Sequence, residues 1–237
     1  MHLALPSSSR PMLSPPGSPR TGGPIRWIAA AGAAAVLSGV GTAVESAPLA
    51  VEPTRETFTG QATDTVFPEE LIITTEDGRH RLRALGSGTR RQLLFKVYEC
   101  APYIEVGAPL EPDAAAAMIE PIPFVKHIML QFVRETAAGK VRDAYERGFA
   151  KVLPEMSEEL AAEKARLLEY VEGSIPEGET IGLTWIPGNG LYTRIGDRPF
   201  LFNPGDELAS AIMAIWLGDD PVHPELKRNM LRFVEGP

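Results

Sequence analysis

The chain reads as an α+β domain in which strands come first and helices follow. Two observations predict this. Between Val66 and Val133, apolar residues alternate with polar ones in short runs bounded by Gly, Pro and Asp turns. From Ala137 onward they recur at three and four residues. A return to strand character between Thr180 and Phe202, ahead of a last apolar helix, marks one mixed domain rather than two separate ones.

Each element has its own justification. Leu71 to Thr75 is a short β run; Glu76-Asp77-Gly78 turns it, and Arg79 to Leu85 is the expected hairpin partner. Leu93 to Glu105 reads as one long strand. Asp113 to Ile119 has the alanine content of a short helix. Phe124 to Val133 places Phe124, Ile128, Leu130 and Phe132 on one face, with His127 and Gln131 on the other.

In Ala137 to Leu153 the positions Val141, Ala144, Tyr145, Gly148, Phe149 and Val152 form a stripe, which leaves Lys140, Arg142, Asp143, Glu146 and Arg147 to the wet side. Ser157 is placed to cap the next helix, with Glu158 and Glu159 at its positive end. Pro187-Gly188-Asn189-Gly190 joins Thr180–Ile186 to Leu191–Ile195 as a hairpin. The helix from Glu207 to Leu217 is apolar nearly all round, so it is buried or lines a cavity. Pro224 to Val234 reads as a final amphipathic helix.

The N-terminus is different material. Residues 1 to 25 are rich in Ser, Pro and Gly, with Arg10 and Arg20 and no acid. Arg26 then introduces an apolar run from Trp27 to Ala43. That is the pattern of a signal peptide, with an uncleaved anchor as the alternative, so residues 1–47 are expected to direct export to the periplasm or beyond. Residues 48–65, with Pro48 and Pro53, read as a linker, and 66–237 as the folded domain.

A net charge of −8 argues against a nucleic-acid partner, because neutralising phosphates requires a basic face. A single cysteine, Cys100, excludes an intramolecular disulfide and a cysteine zinc cage, and it is expected to pack as a small hydrophobe. No nucleophile elbow, metalloprotease helix or phosphate-binding glycine loop is present. His80, His127 and His223 are widely separated, and no metal or cofactor is expected. His127 reads as a surface or second-face residue and His223 as part of a turn.

Arg90 stands out. Leu85-Gly86-Ser87-Gly88-Thr89-Arg90 delivers a cation to the mouth of an apolar strand, where it is costly unless something anionic answers it. Two readings compete: pairing with a surface acid outside the strand, or a ligand site to which Tyr98 and Tyr103 could add hydroxyls.

Gly86-x-Gly88-x-Arg90, followed by Phe95-Lys96-Val97-Tyr98 and Tyr103-Ile104-Glu105, resembles the chalcone isomerase-like superfamily, whose members carry a G-x-G-x-R turn ahead of such a strand. Phe132-Val133-Arg134-Glu135 before the Lys140–Phe149 helix, the Pro187–Gly190 hairpin, and the Ala211–Leu217 helix closing at Gly218 are similar in order and spacing. So is Pro224-Glu225-Leu226-Lys227, and the likeness covers residues 66 to 234. With its presequence the chain looks most like the bacterial exported branch.

The resemblance implies an open-faced β-sandwich, an antiparallel sheet packed against a layer of helices with a ligand cleft between. In plant enzymes of the family the arginine stabilises charge while a chalcone cyclises; in fatty-acid-binding relatives it meets a carboxylate. Other family positions do not carry over. The enzyme tyrosine falls at Ala137, the helix asparagine near Ala144, the late threonine near Ala214, and Tyr98 replaces a strand threonine. Methyl groups cannot hydrogen-bond a polyphenol.

The expectation is therefore an exported carrier of a small apolar anion such as a fatty acid. Arg90 would pair the carboxylate, Tyr98 would assist, and Val97, Ile212, Met213 and Ile215 would line the tail cavity. The alternative is an isomerase, an intramolecular lyase with Arg90 as electrostatic catalyst. Membrane association is expected only through an uncleaved N-terminus.

Overall fold

The computed structural model describes residues 49–235. Thirteen strands and six helices are found among them. In chain order they are β1 (Ala50–Pro53), β2 (Thr57–Thr59), β3 (Val66–Pro68), β4 (Glu70–Thr75), β5 (Gly78–Ala84), β6 (Gly88–Gln92), β7 (Phe95–Glu105), α1 (Ala114–Ile119), β8 (Lys126–Phe132) and β9 (Thr136–Ala137). There follow α2 (Ala138–Val152), α3 (Glu158–Tyr170), β10 (Ser174–Ile175), β11 (Thr180–Ile186), β12 (Gly190–Ile195), β13 (Arg198–Phe202), α4 (Asp206–Leu217), α5 (Pro224–Met230) and α6 (Arg232–Glu235).

A nine-stranded antiparallel sheet runs β1-β4-β5-β7-β8-β11-β12-β13, with β6 also paired to β7. The period-two patterns decide its two faces. In β8, Ile128, Leu130 and Phe132 join the core shared with the helices, while Met129 belongs to a second cluster with Phe67, Leu71, Ile73, Leu82, Ala101 and Tyr103. Helices thus cover one face, and β2 and β3 contribute to the packing of the other. This is the α+β class that the strand-then-helix order implies, in the open-faced arrangement that the family resemblance implies.

Local signals explain the helix ends. Ser157 Oγ accepts from Leu160 N at 3.1 Å, and Asp113 accepts from Ala115 N and Ala116 N at the start of α1. Asp206, in the first turn of α4, accepts from Trp185 Nε1 at 2.6 Å and from Gly188 N, which ties the β11–β12 turn to that helix. His223 caps α5, its ring Nδ1 accepting from Leu226 N at 3.4 Å.

Residues 1–47, where a signal peptide or anchor is expected, lie outside the described residues. Other expectations need correction. The stretch read as a linker, 48–65, holds β1 and β2, which pair with β4 and β3. Its prolines signal a break, yet Pro53 closes an edge strand, where a missing N–H costs no ladder bond. The strand expected to begin at Leu93 begins at Phe95. Leu93 and Leu94 form a two-residue turn that folds Gln92 back onto Phe95. Nothing in their composition marks that reversal, because turns with φ above zero normally use Gly or Asn. Finally, the segment from Pro224 breaks at Leu231 into α5 and α6.

Candidate functional site

The glycine turn before Arg90 has a packing reason. A Cβ on Gly88 would lie 2.6 Å from Leu226 Cδ1 and 2.9 Å from the Leu226 carbonyl. One on Gly86, whose φ is 145°, would lie 2.6 Å from Asn229 O. Both glycines therefore admit α5 against the start of β6 rather than a ligand. The consequence reaches Arg90 all the same, because this contact fixes the strand that carries it.

Arg90 is the Cα partner of Tyr98 across β6 and β7, so the two side chains share a face, the one turned to the helices. The register shifts directly after Arg90. The guanidinium is half-buried, and its Nη1 donates to Arg91 O at 2.9 Å. None of the ion pairs among the described residues includes it. Its other N–H groups have no protein acceptor among those residues and face a cavity of about 410 Å³.

That cavity lies between the β6–β7 hairpin and α2. Its apolar lining includes Val97, Leu130, Phe132, Val141, Ile181 and Ile215. Four of the six residues expected from sequence are brought together there: Arg90, Val97, Tyr98 and Ile215. Ile212 and Met213 are not. Both are wholly buried in the main core, because only the C-terminal turn of α4 reaches the cavity and the preceding turn is enclosed by packing. Of the alanines at family side-chain positions, Ala144 lines the cavity, while Ala137 and Ala214 do not.

Tyr98 is oriented by a residue that sequence reasoning placed only among the apolar positions of α4. Trp216 Nε1 donates to Tyr98 Oη at 2.9 Å. An indole can only donate, so the phenol oxygen is the acceptor and its proton is left for another partner. Burial pushes the Tyr98 phenol well above its usual range, although the Trp216 bond and the nearby Arg90 oppose that rise. It therefore stays a hydroxyl donor. Phe132 packs against its ring at 5.6 Å, and Tyr145 meets Trp216 edge-on at 6.3 Å.

A second signal escaped the sequence reading. Lys140, Ala144, Arg147, Gly148 and Lys151 follow helical spacing along one face of α2, and all five line the cavity. Lys140 and Arg147 are on the wet side, as their spacing predicts, but exposed at the rim of the cavity, and Asp143 is the lone acid among the lining residues. Lys151 is committed elsewhere, to Asp220 at 2.6 Å. Gly148 lets α4 approach: a Cβ there would lie 2.9 Å from the Ile215 side chain. An apolar pocket whose polar edge is mostly cationic suits an amphiphilic anion.

The remaining chemistry-bearing residues lie elsewhere. Cys100 is fully buried, its Sγ 3.5 Å from Met230 Sδ, and burial holds its thiol well above the usual range. His80 contacts Glu105 at 2.9 Å. His127 does lie on the second face but is buried there, 2.8 Å from Thr184 Oγ1. Tyr103 donates to Pro68 O at 2.9 Å, on the side away from the cavity.

Comparison with known proteins follows the same lines. No curated protein sequence matches the chain. Among solved structures, a fatty-acid binding protein of Arabidopsis thaliana aligns with a TM-score of 0.52. It does so at 21% identity over 74% of this chain and 96% of that one, a likeness of fold. The model of the chalcone isomerase-like family matches residues 66–232, from the first residue of β3 to the first of α6, and the chain belongs to that family.

Proposed function

We propose that this protein is an exported carrier of a small apolar anion such as a fatty acid, held in the cavity between β7 and α2. The observation that carries the reading is Arg90: a half-buried guanidinium with no carboxylate partner among the described residues, beside a phenol whose proton is uncommitted and above an apolar lining. A carboxylate would accept a forked pair of bonds from Arg90 and one from Tyr98, with Lys140 and Arg147 adding attraction at the rim. The acyl chain would lie against Leu130, Phe132, Ile181 and Ile215. The fatty-acid binding of the Arabidopsis protein of like fold supports the same reading.

The alternative, cyclisation of an enone, would need donors to place a polyphenol, and the positions that supply them in the enzymes hold Ala137, Ala144 and Ala214.

Titration of a panel of long-chain fatty acids tests the site. At a half-exposed site the forked contact as a whole contributes roughly 1.5–3 kcal/mol, so Arg90→Ala should weaken binding by about tenfold to a hundredfold. Equal affinity in wild type and variant would overturn the reading. Export is tested separately, by the intact mass of the mature protein recovered from its native host: a cut close after Ala43 is expected, and an unprocessed N-terminus in a cytoplasmic fraction would refute it.

A further inference from the structure

We propose that the tip of the β6–β7 hairpin, Leu93-Leu94-Phe95 with Arg91 and Lys96 at its base, inserts into the headgroup region of an anionic lipid bilayer and turns the cavity mouth toward it.

Three observations carry this. The turn holds Leu93 and Leu94 at 90% and 91% exposure and Phe95 at 60%, among the most exposed large hydrophobic side chains of the described residues, and they are consecutive. Folding does not ask for them. Leu93 has φ 55°, a conformation that glycine adopts without strain and a leucine resists, and hairpin turns of this length select Gly, Asn or Asp. An apolar pair kept where both backbone preference and solvation oppose it has its partner outside the chain's own core.

Charge then names the partner. The chain is acidic overall at −8, yet Arg90, Arg91 and Lys96 fall within seven residues that contain no acid. Arg134 stacks its guanidinium over the Phe95 ring at 4.8 Å and adds a further cation on the flank. Apolar residues at a tip with cations around its base match the depth profile of an anionic bilayer, acyl chains within and phosphates above. A contact made by the tip of one hairpin would be peripheral, and no helix among the described residues is long and apolar enough to span a membrane. It would also be independent of an uncleaved N-terminus.

The same hairpin places Arg90, Gln92 and Val97 on the cavity. A fatty acid could therefore pass between bilayer and cavity without crossing bulk water, a purpose that rests on the carrier reading above, whereas the docking itself does not.

The test uses the full chain with an environment-sensitive nitrobenzoxadiazole probe on Leu94→Cys, since the native Cys100 is wholly buried. Vesicles of phosphatidylglycerol should brighten and blue-shift the probe, vesicles of phosphatidylcholine alone should do so weakly, and salt should reverse the response. No response to phosphatidylglycerol overturns the proposal. So does a probe already shielded in vesicle-free buffer, whether by the apolar Trp27–Ala43 run or by a second copy of the chain.

Leu93→Gly/Leu94→Ser, which suits the turn, should slow transfer of a labelled fatty acid from phosphatidylglycerol vesicles by about tenfold or more. It should leave affinity for the free fatty acid unchanged, and unchanged transfer would count against the docking. If wild type inserts but binds no fatty acid, the carrier reading fails and the docking stands. If it binds fatty acid but does not insert, the reverse holds.

Discussion

Two polar sites on opposite faces of the sheet, one around Glu99 and one around Arg90 and Tyr98, are treated in opposite ways. On the face away from the helices, Glu99 is completely buried and accepts from Gln61 N at 2.9 Å, Thr63 Oγ1 at 3.0 Å, Ser87 Oγ at 3.2 Å and also from Thr89 Oγ1. Tyr103 is sealed against Pro68 O. On the helix face, one residue before Glu99, Tyr98 keeps a free proton, and Arg90 keeps N–H groups with no acceptor among the described residues. Burial alone does not separate the two. Lys126 lies on the helix face and is wholly buried, but its ammonium donates to Glu120 O and Ile122 O and sits 3.8 Å from the Trp185 ring centroid. What distinguishes the cavity is that its positioned, unsaturated polar groups border open space, whereas His127 Nε2 and Gln131 Oε1, also without partners, are buried in the opposite face.

A crossed pair of substitutions puts that difference at risk. Glu99→Ala strands several donors in the sheet interior and should cost about 3 kcal/mol of stability. For a domain of this size that is roughly 6–12 °C in Tm, read by thermal unfolding, with fatty-acid affinity in the surviving folded protein unchanged. Arg90→Ala should do the opposite, leaving Tm within about 1–2 °C while affinity falls as described. If both variants lose stability alike, Arg90 is structural and the two sites do not differ in kind.

Much of this was readable beforehand, for reasons that can be named. Alternation in Ile128, Leu130 and Phe132 set the helix-facing side, and Ser157 and the Pro187–Gly190 segment fixed a helix start and a hairpin. Arg90 stands out because a cation inside an apolar stretch is anomalous, and Tyr98 follows only as a nearby strand residue with a hydroxyl. Trp216 could not be found, because in a helix apolar all round an indole looks like core, and only its partner across the sheet gives the N–H a role. The basic face of α2 was hidden because charges at helical spacing read as solvated whether or not a hairpin stands opposite. Leu93-Leu94 misled for the converse reason: period-two reasoning assumes that an apolar pair is buried.

The second face also offers a pH test. Burial pushes His127 down to about 3, so the folded protein holds it neutral while the unfolded chain protonates it near pH 6.5. The unfolded state then binds more protons between these values. This contribution is whole above about pH 6.5 and is lost at up to about 1.4 kcal/mol per pH unit as pH falls toward 3. Denaturant unfolding between about pH 4 and 7 should show His127→Gln less acid-sensitive than wild type. Parallel pH profiles would mean that the imidazole is reached by water. Fatty-acid affinity should not follow this titration, because His127 lies across the sheet from the cavity.

The smallest expected effect is the sharpest test of the open face. If the Tyr98 proton is reserved for a ligand, Tyr98→Phe should weaken fatty-acid binding by about 0.5–1.5 kcal/mol, roughly twofold to tenfold, through loss of one neutral hydrogen bond. Trp216 touches this chemistry by aiming the phenol, so Trp216→Phe should cost a similar amount. The double variant should then lose little more than either single one, a coupling that a double-mutant cycle measures directly by titration. Additive losses would mean that Trp216 contributes by packing against Tyr145, and that the direction of the Tyr98 hydroxyl is not set by the indole.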